Sequence, residues 1–293
     1  MSLYTQPKLD SSAWQHGYIQ TNGVRLHYVT EGEGPLIVLL HGFPEFWYSW
    51  RYQLPVLARD HRVVALDLRG YNDSDKPSQV AAYRMDELVA DVIGVAQGLG
   101  YDRFTLVGHD WGGAIAWNLA DRHPEYLDNL IVLNLPHPAR LLAGLRTPQQ
   151  LIKSWYIFFF QLPWLPELAL QWANYRAVEL AFSAMAIDKK AFSPSDLDAF
   201  KQAAAKRGAV PAMLNYYRSI FSPGQLTRRW RVLEMPTLMI WGENDAALGK
   251  ELTYGTEQYV RDLQIKYIPN CSHWVQQERP DLVNRYICDF LAE

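Results

Sequence analysis

Between Leu106 and Ala116 the chain reads Leu-Val-Gly-His-Asp-Trp-Gly-Gly-Ala-Ile-Ala, an apolar strand-like run that breaks at Gly108 and resumes as a helix of small residues. Asp110 stands two residues after one glycine and two before another. That is the Gly-x-nucleophile-x-Gly spacing of a strand-turn-helix elbow, with a carboxylate in the nucleophile's place. So tight a turn brings backbone segments together, and a Cβ at Gly108 or Gly112 would collide with them. On the elbow reading a strand delivers Asp110 into a cleft above a sheet. An aspartate here also fits a plain N-cap opening the helix Trp111 to Leu119, and the stretch alone leaves both readings open.

The chain has 293 residues, 49% of them hydrophobic and 20% charged, which suffices for one large core or two smaller ones. A formal net charge of -3 with no long Lys/Arg block argues against a nucleic-acid surface, and Arg228-Arg229 is too short a cluster to supply one. Met1 to Trp14 lacks the basic start and apolar stretch of a signal peptide. Apolar runs such as Leu36 to Leu40 are too short to span a bilayer, so a cytoplasmic location and no membrane partner are expected. Cys271 and Cys288 make neither a disulfide framework nor a metal quartet and read as free thiols.

Along the chain, His16 to Gln20 and Arg25 to Thr30 flank Asn22-Gly23, a pair that takes positive φ easily and so closes a tight hairpin. Leu36 to Leu40, Arg62 to Leu66, Phe104 to Val107 and Leu130 to Leu133 are continuous apolar runs, as strands buried on both faces require. Helical periodicity such as Met85 to Leu99 separates them, and this alternation predicts a parallel sheet with helices on both sides. After Pro136-His137-Pro138 the character changes to aromatic-rich helices from Ala139 to about Trp230, which reads as an inserted helical lid. Thr237 to Trp241 and Gln264 to Ile268 restore the strand signal, and Pro280 to Leu291 closes the chain as an amphipathic helix.

Elbow folds supply an acid and then a histidine after the nucleophile in chain order. Asp245, in Trp241-Gly242-Glu243-Asn244-Asp245, follows one resumed strand, and His273, in Pro269-Asn270-Cys271-Ser272-His273-Trp274, follows the next. Both then lie at carboxyl ends of strands, where open α/β sheets bind ligands, with His273 as base and Asp245 orienting it. Glu243 is the competing acid. Asp121, Asp128 and the other exposed acids read as solvated helix or turn positions, and His27, His61 and His123 lack a comparable context. His41-Gly42-Phe43-Pro44 follows the first long parallel strand, so the backbone N–H groups of Phe43 and Trp111 are the candidate oxyanion donors.

His41 to Arg51 (His-Gly-Phe-Pro-Glu-Phe-Trp-Tyr-Ser-Trp-Arg) and Gly108-His109-Asp110-Trp111-Gly112-Gly113 resemble the α/β-hydrolase-fold epoxide hydrolases of soluble and microbial type, and the similarity spans nearly the whole chain. The resemblance implies an α/β-hydrolase core at 1–138 and 231–293, with an all-helical cap at 139–230. In that family two lid tyrosines hold and protonate the epoxide oxygen. Ser154-Trp155-Tyr156 with Gln161 and Pro163 resembles the first context, and Asn215-Tyr216-Tyr217-Arg218 the second. The Asn-x-Tyr-Arg pattern selects Tyr217 over Tyr216. Trp155, Phe158, Phe159, Phe160 and Trp164 crowd the lid, so the cleft wall should be largely apolar, with Trp155, Phe159 and Trp274 against the substrate.

The implied chemistry is attack of Asp110 on an epoxide carbon, then hydrolysis of the resulting ester by water that His273 activates. The expected partners are a small hydrophobic epoxide and water, with no cofactor and no metal. Haloalkane and haloacetate dehalogenases share the Asp-His-Asp machinery. Many of the former, however, place a halide donor where Phe43 stands, and fluoroacetate dehalogenases use arginines where this chain has Trp111 and Ala114. A non-catalytic ligand receptor on the same scaffold is the alternative of another class.

Overall fold

The structure is a computed structural model and describes residues 14–221 and 229–293. The readings that rest on residues 1–13 and on residues 222–228, Arg228 among them, lie outside the described residues. Eight strands form one sheet: β1 (Gln15–Thr21), β2 (Val24–Glu31), β3 (Leu36–Leu40), β4 (Arg62–Leu66), β5 (Phe104–His109), β6 (Leu127–Leu133), β7 (Thr237–Gly242) and β8 (Leu263–Ile268). Their order is β1-β2-β4-β3-β5-β6-β7-β8. The first two are antiparallel to their neighbours, and β4 through β8 run parallel.

Local chemistry accounts for most of these boundaries. Asn22 and Gly23 both take positive φ, +46° and +74°, and close the β1–β2 hairpin. Every residue of β3 and of β5 is buried, which explains their uninterrupted apolar character. The helices of the first half are α1 (Leu54–Leu57), α2 (Met85–Gly98) and α3 (Trp111–Arg122). Between β6 and β7 come α4 (Pro138–Gly144), α5 (Pro148–Lys153), α6 (Trp155–Phe159), α7 (Leu165–Ser183), α8 (Pro194–Ala205) and α9 (Ala209–Ser219), with no strand among the described residues. Proline at the first or second position opens α4, α5, α7 and α8, where its missing N–H costs nothing. Ser193 and Asp196 add a reciprocal capping box to α8. The chain ends in α10 (Val275–Glu278) and α11 (Pro280–Leu291), which turns Val283, Ile287 and Phe290 to the core at helical spacing.

Two polar expectations fail here. Asp121 is buried, and its Oδ1 accepts the Arg231 N–H at 2.8 Å, so it is not a solvated position but ties α3 to the segment that re-enters the sheet. His27 does have an acid beside it: Nδ1 lies 2.6 Å from Oδ2 of buried Asp67, because antiparallel β2 runs alongside β4 and Asp67 follows directly on β4. Cys271 and Cys288 are free thiols, as expected. No described helix is long and apolar enough to cross a membrane.

Candidate active site

Strand order creates the site. Between β3 and β5 the direction of strand succession reverses, and at such a switch point the loops leaving the two strands diverge and open a crevice. Leu40 pairs in register with Gly108, so the loop after β3 and the turn after β5 emerge side by side. Asp110 sits in that turn at φ +49° and ψ -118°, a strained conformation for a non-glycine residue. A Cβ on Gly108 would stand 2.3 Å from the Gly112 carbonyl oxygen, and one on Gly112 would stand 2.2 Å from that of Leu40. Asp110 does occupy the N-cap position of α3, yet its side chain caps no helical N–H. Instead Oδ1 accepts the Phe43 N–H at 2.8 Å. The Trp111 N–H, at the first position of α3, is one of those that a helix start leaves without an intrahelical partner.

His273 follows β8, and its Nε2 lies 3.6 Å from Asp110 Oδ2, an ion-pair separation longer than a direct hydrogen bond. On its other side Nδ1 lies 2.6 Å from Asp245 Oδ2. Asp245 is held on all sides: Oδ2 also accepts from Asn134 Nδ2 at 2.7 Å, and Oδ1 accepts the N–H groups of Ala247 and Leu248 at 2.8 and 2.9 Å. Glu243, the competing acid, pairs with Lys250 instead.

Burial alone would lower the imidazole pKa, but the Asp245 and Asp110 carboxylates reverse this and hold His273 well above its ordinary value. Burial would likewise raise both carboxyls, and the neighbouring imidazolium outweighs it, holding Asp110 and Asp245 below their ordinary range.

Two lobes of a cavity, about 190 and 320 Å³, share Asp110, Tyr156 and Tyr217 in their walls. The first is predominantly apolar, lined by side chains such as Met85, Leu135, Leu141 and Ile157; His273 and Trp274 line the second. The Tyr156 and Tyr217 rings meet edge to face, with centroids 5.9 Å apart. Burial first, and then the Asp110 charge, pushes both phenols up, so both stay protonated as donors. Tyr216 points the other way, its hydroxyl donating to the Arg69 carbonyl at 2.7 Å. Trp155 reaches the second lobe only at its rim and is largely exposed.

Phe159 lines neither lobe. It packs on Trp155 and Phe160, and Phe160 is the residue that meets the cavity. Phe158 and Trp164 face outward, so less of the aromatic lid forms the cleft wall than its composition suggests.

Sequence reasoning missed the supports. Asn134 holds Asp245 through its amide nitrogen and accepts the Gly242 N–H through its oxygen at 2.8 Å. Buried Glu45 lies 2.7 Å from His109 Nδ1, and His109 Nε2 lies 2.9 Å from the His273 carbonyl oxygen. The only sequence signal for either residue is membership of the two quoted motifs.

The alpha/beta hydrolase fold family matches residues 35–280. Epoxide hydrolase 4 of Homo sapiens is 42% identical over 294 residues, spanning 97% of this chain and 81% of that protein. Epoxide hydrolase 1 of Caenorhabditis elegans is 44% identical over 285 residues, 95% of this chain and 70% of that one. The crystal structure of Bacillus megaterium epoxide hydrolase with an inhibitor superposes with a TM-score of 0.89 at 38% identity, covering 94% of this chain and 100% of that one. A point mutant of the same enzyme, matching equally well, was solved complexed with its product (R)-3-[1]naphthyloxy-propane-1,2-diol. The 8-stranded, mostly parallel sheet, the aspartate elbow at its switch point and these relatives place the chain in one family: it belongs to the α/β-hydrolase-fold epoxide hydrolases.

Proposed function

We propose that the protein hydrolyses hydrophobic epoxides to vicinal diols through a covalent ester on Asp110, with residues 139–230 as the cap and residues 1–138 and 231–293 as the core. The observation that carries the proposal is the convergence of a carboxylate, a histidine-acid pair and two protonated tyrosines on one largely apolar cavity. Held ionised by His273, Asp110 needs no base to attack an epoxide carbon. Its Oδ1 is engaged by the Phe43 N–H, which leaves Oδ2 as the attacking atom. The C–O bond of the ring breaks, and its electron pair goes to the epoxide oxygen, which takes a proton from Tyr156 or Tyr217 as it leaves.

Esterification removes the negative charge of Asp110, one of the two charges that keep His273 protonated. The imidazole pKa therefore falls after the first step, so that His273 gives up its proton, with net return of one to the tyrosinate left by ring opening, and the neutral imidazole becomes the base for water attacking the Asp110 carbonyl carbon. The developing oxyanion is met by the Phe43 N–H and the adjacent Trp111 N–H. A serine at 110 would form an alkyl ether with no carbonyl for water to attack, which accounts for the aspartate. A cytoplasmic location belongs to the same proposal, supported by the two free thiols.

His273→Gln tests the scheme. Mixed with styrene oxide, the folded variant should add the epoxide's mass to the peptide containing Asp110 and release no diol. An unmodified peptide, with wild-type turnover of the same epoxide established, would refute it. Parallel incubations with a haloalkane and with fluoroacetate, following halide and fluoride, separate the dehalogenase readings.

A further inference from the structure

The apolar lobe of the cavity contains one polar side chain that the hydrolysis scheme does not use. Ala114 and Asn118 stand four and eight residues after Asp110, so the three succeed one another along the side of α3 that this lobe covers. Ala114, with only a methyl group, separates the two polar residues. At 1.5 Å of rise per residue, Asn118 lies about 12 Å beyond Asp110 along the helix axis.

Asn118 is 8% exposed, and its Nδ2 donates to the Ala114 carbonyl at 2.9 Å. A carbonyl can only accept, so this bond fixes the sense of the amide: the nitrogen is turned to the helix backbone, and Oδ1 is the end left for the lobe. Among the described residues nothing donates to Oδ1. Ser219 is the other hydroxyl or amide side chain in this wall apart from the two tyrosines, and it is engaged, its Oγ lying 2.8 Å from both the Tyr83 and the Tyr216 carbonyls. The indoles of Trp111 and Trp230 can donate but not accept, and the rest of the wall away from the reacting centre is apolar. Oδ1 is therefore a nearly buried acceptor that needs a donor from a ligand.

We infer that Asn118 determines specificity: its Oδ1 accepts a hydrogen bond from a hydroxyl on the arm of the epoxide that fills this lobe. The favoured substrates are then epoxides with a hydroxyl at the far end of an apolar chain, rather than plain hydrocarbon epoxides. The chain satisfies the wall of Leu135, Leu141 and Leu145, and its length carries the hydroxyl from Asp110 to Asn118. A hydroxyl held closer to the ring would be buried against that wall without an acceptor. An ether oxygen at the far end would not serve, because neither it nor Oδ1 has a proton to give. This role rests on reading the cavity as an epoxide site.

The test compares kcat/KM for 7,8-epoxyoctan-1-ol with that for its methyl ether, which keeps the oxygen and removes the donor. Wild-type protein should prefer the alcohol, and Asn118→Leu should lower the alcohol-to-ether ratio by about tenfold. Asn118→Ala should lower it similarly and gives an independent reading. Leucine and alanine both favour a helix more than asparagine does, and circular dichroism checks that each variant folds. With 3,4-epoxybutan-1-ol and its methyl ether, too short to bridge the span, the ratio should stay within about twofold of wild type in both variants. A wild-type ratio at or below one, a ratio that neither folded variant moves, or an equal fall for the short pair overturns the inference while leaving the hydrolysis scheme in place. Absence of diol from every one of these epoxides with wild-type protein overturns the hydrolysis scheme, and this role with it.

Discussion

Asp245→Asn probes the site most sharply, because the surroundings of that carboxylate dictate how an amide must sit. Oδ1 faces two backbone donors, Ala247 and Leu248, which cannot turn away. Oδ2 faces the Asn134 amide nitrogen and His273 Nδ1, both of which can adjust. An asparagine therefore keeps its carbonyl oxygen toward the backbone N–H groups and presents its NH2 to His273. Nδ1 must then accept, which puts the ring proton on Nε2, the atom that has to take a proton from water. The variant thus loses both the charge that stabilises the imidazolium and the tautomer that can act as base. In serine proteases the equivalent exchange costs about 10⁴-fold in kcat, and hydrolysis of the Asp110 ester should slow by about 10³ to 10⁴-fold here.

Ester formation should stay within about tenfold of wild type, since carboxylate attack needs no base. Rapid-quench experiments that resolve both steps, with the ester followed by mass spectrometry, measure the ratio. Ester hydrolysis at nearly the wild-type rate would refute the reasoning. Accumulation of ester in Glu243→Gln instead would transfer the role to Glu243, against its pairing with Lys250.

Tyr156→Phe and Tyr217→Phe should each slow ester formation by about 10²-fold, and the double variant should be nearly inactive. Tyr216→Phe, which loses only the bond to the Arg69 carbonyl, should cost about 1 kcal/mol of stability and leave alkylation unchanged, as pre-steady-state rates and denaturant melts will show. For pH, hydrolysis requires neutral His273, so its single-turnover rate should rise with pH through the pKa of the ester state and level off above it. Alkylation requires ionised Asp110 and should hold constant down to a pH below the ordinary carboxylate range. Quenched samples should therefore contain more ester at low pH, and accumulation at high pH would contradict the assignment.

Much of this protein is legible in its sequence because the signals are local. The continuous apolar runs gave β3 and β4 with their observed ends, and Asn22-Gly23 marked the hairpin through the φ those two residues tolerate. Gly108 and Gly112 marked the elbow because a Cβ at either position has nowhere to go. The acid and the histidine were findable because each follows a strand. Tertiary structure alone decided what holds them. Asn134 reaches Asp245 across 111 residues, Glu45 reaches His109 across 64, and His27 reaches Asp67 across 40. Strand order likewise placed the Phe43 N–H on Asp110. It also took packing to separate Phe159 from Phe160 as the residue that faces the cavity, whereas the motif resemblance at Asn215 to Arg218 already selects Tyr217 over Tyr216. Neighbours on a helix point about 100° apart, and composition is the same for both. Turns and strands follow from the steric and hydrophobic character of adjacent residues. A hydrogen bond between strand ends depends on which strands lie side by side, and no periodicity along the chain encodes that.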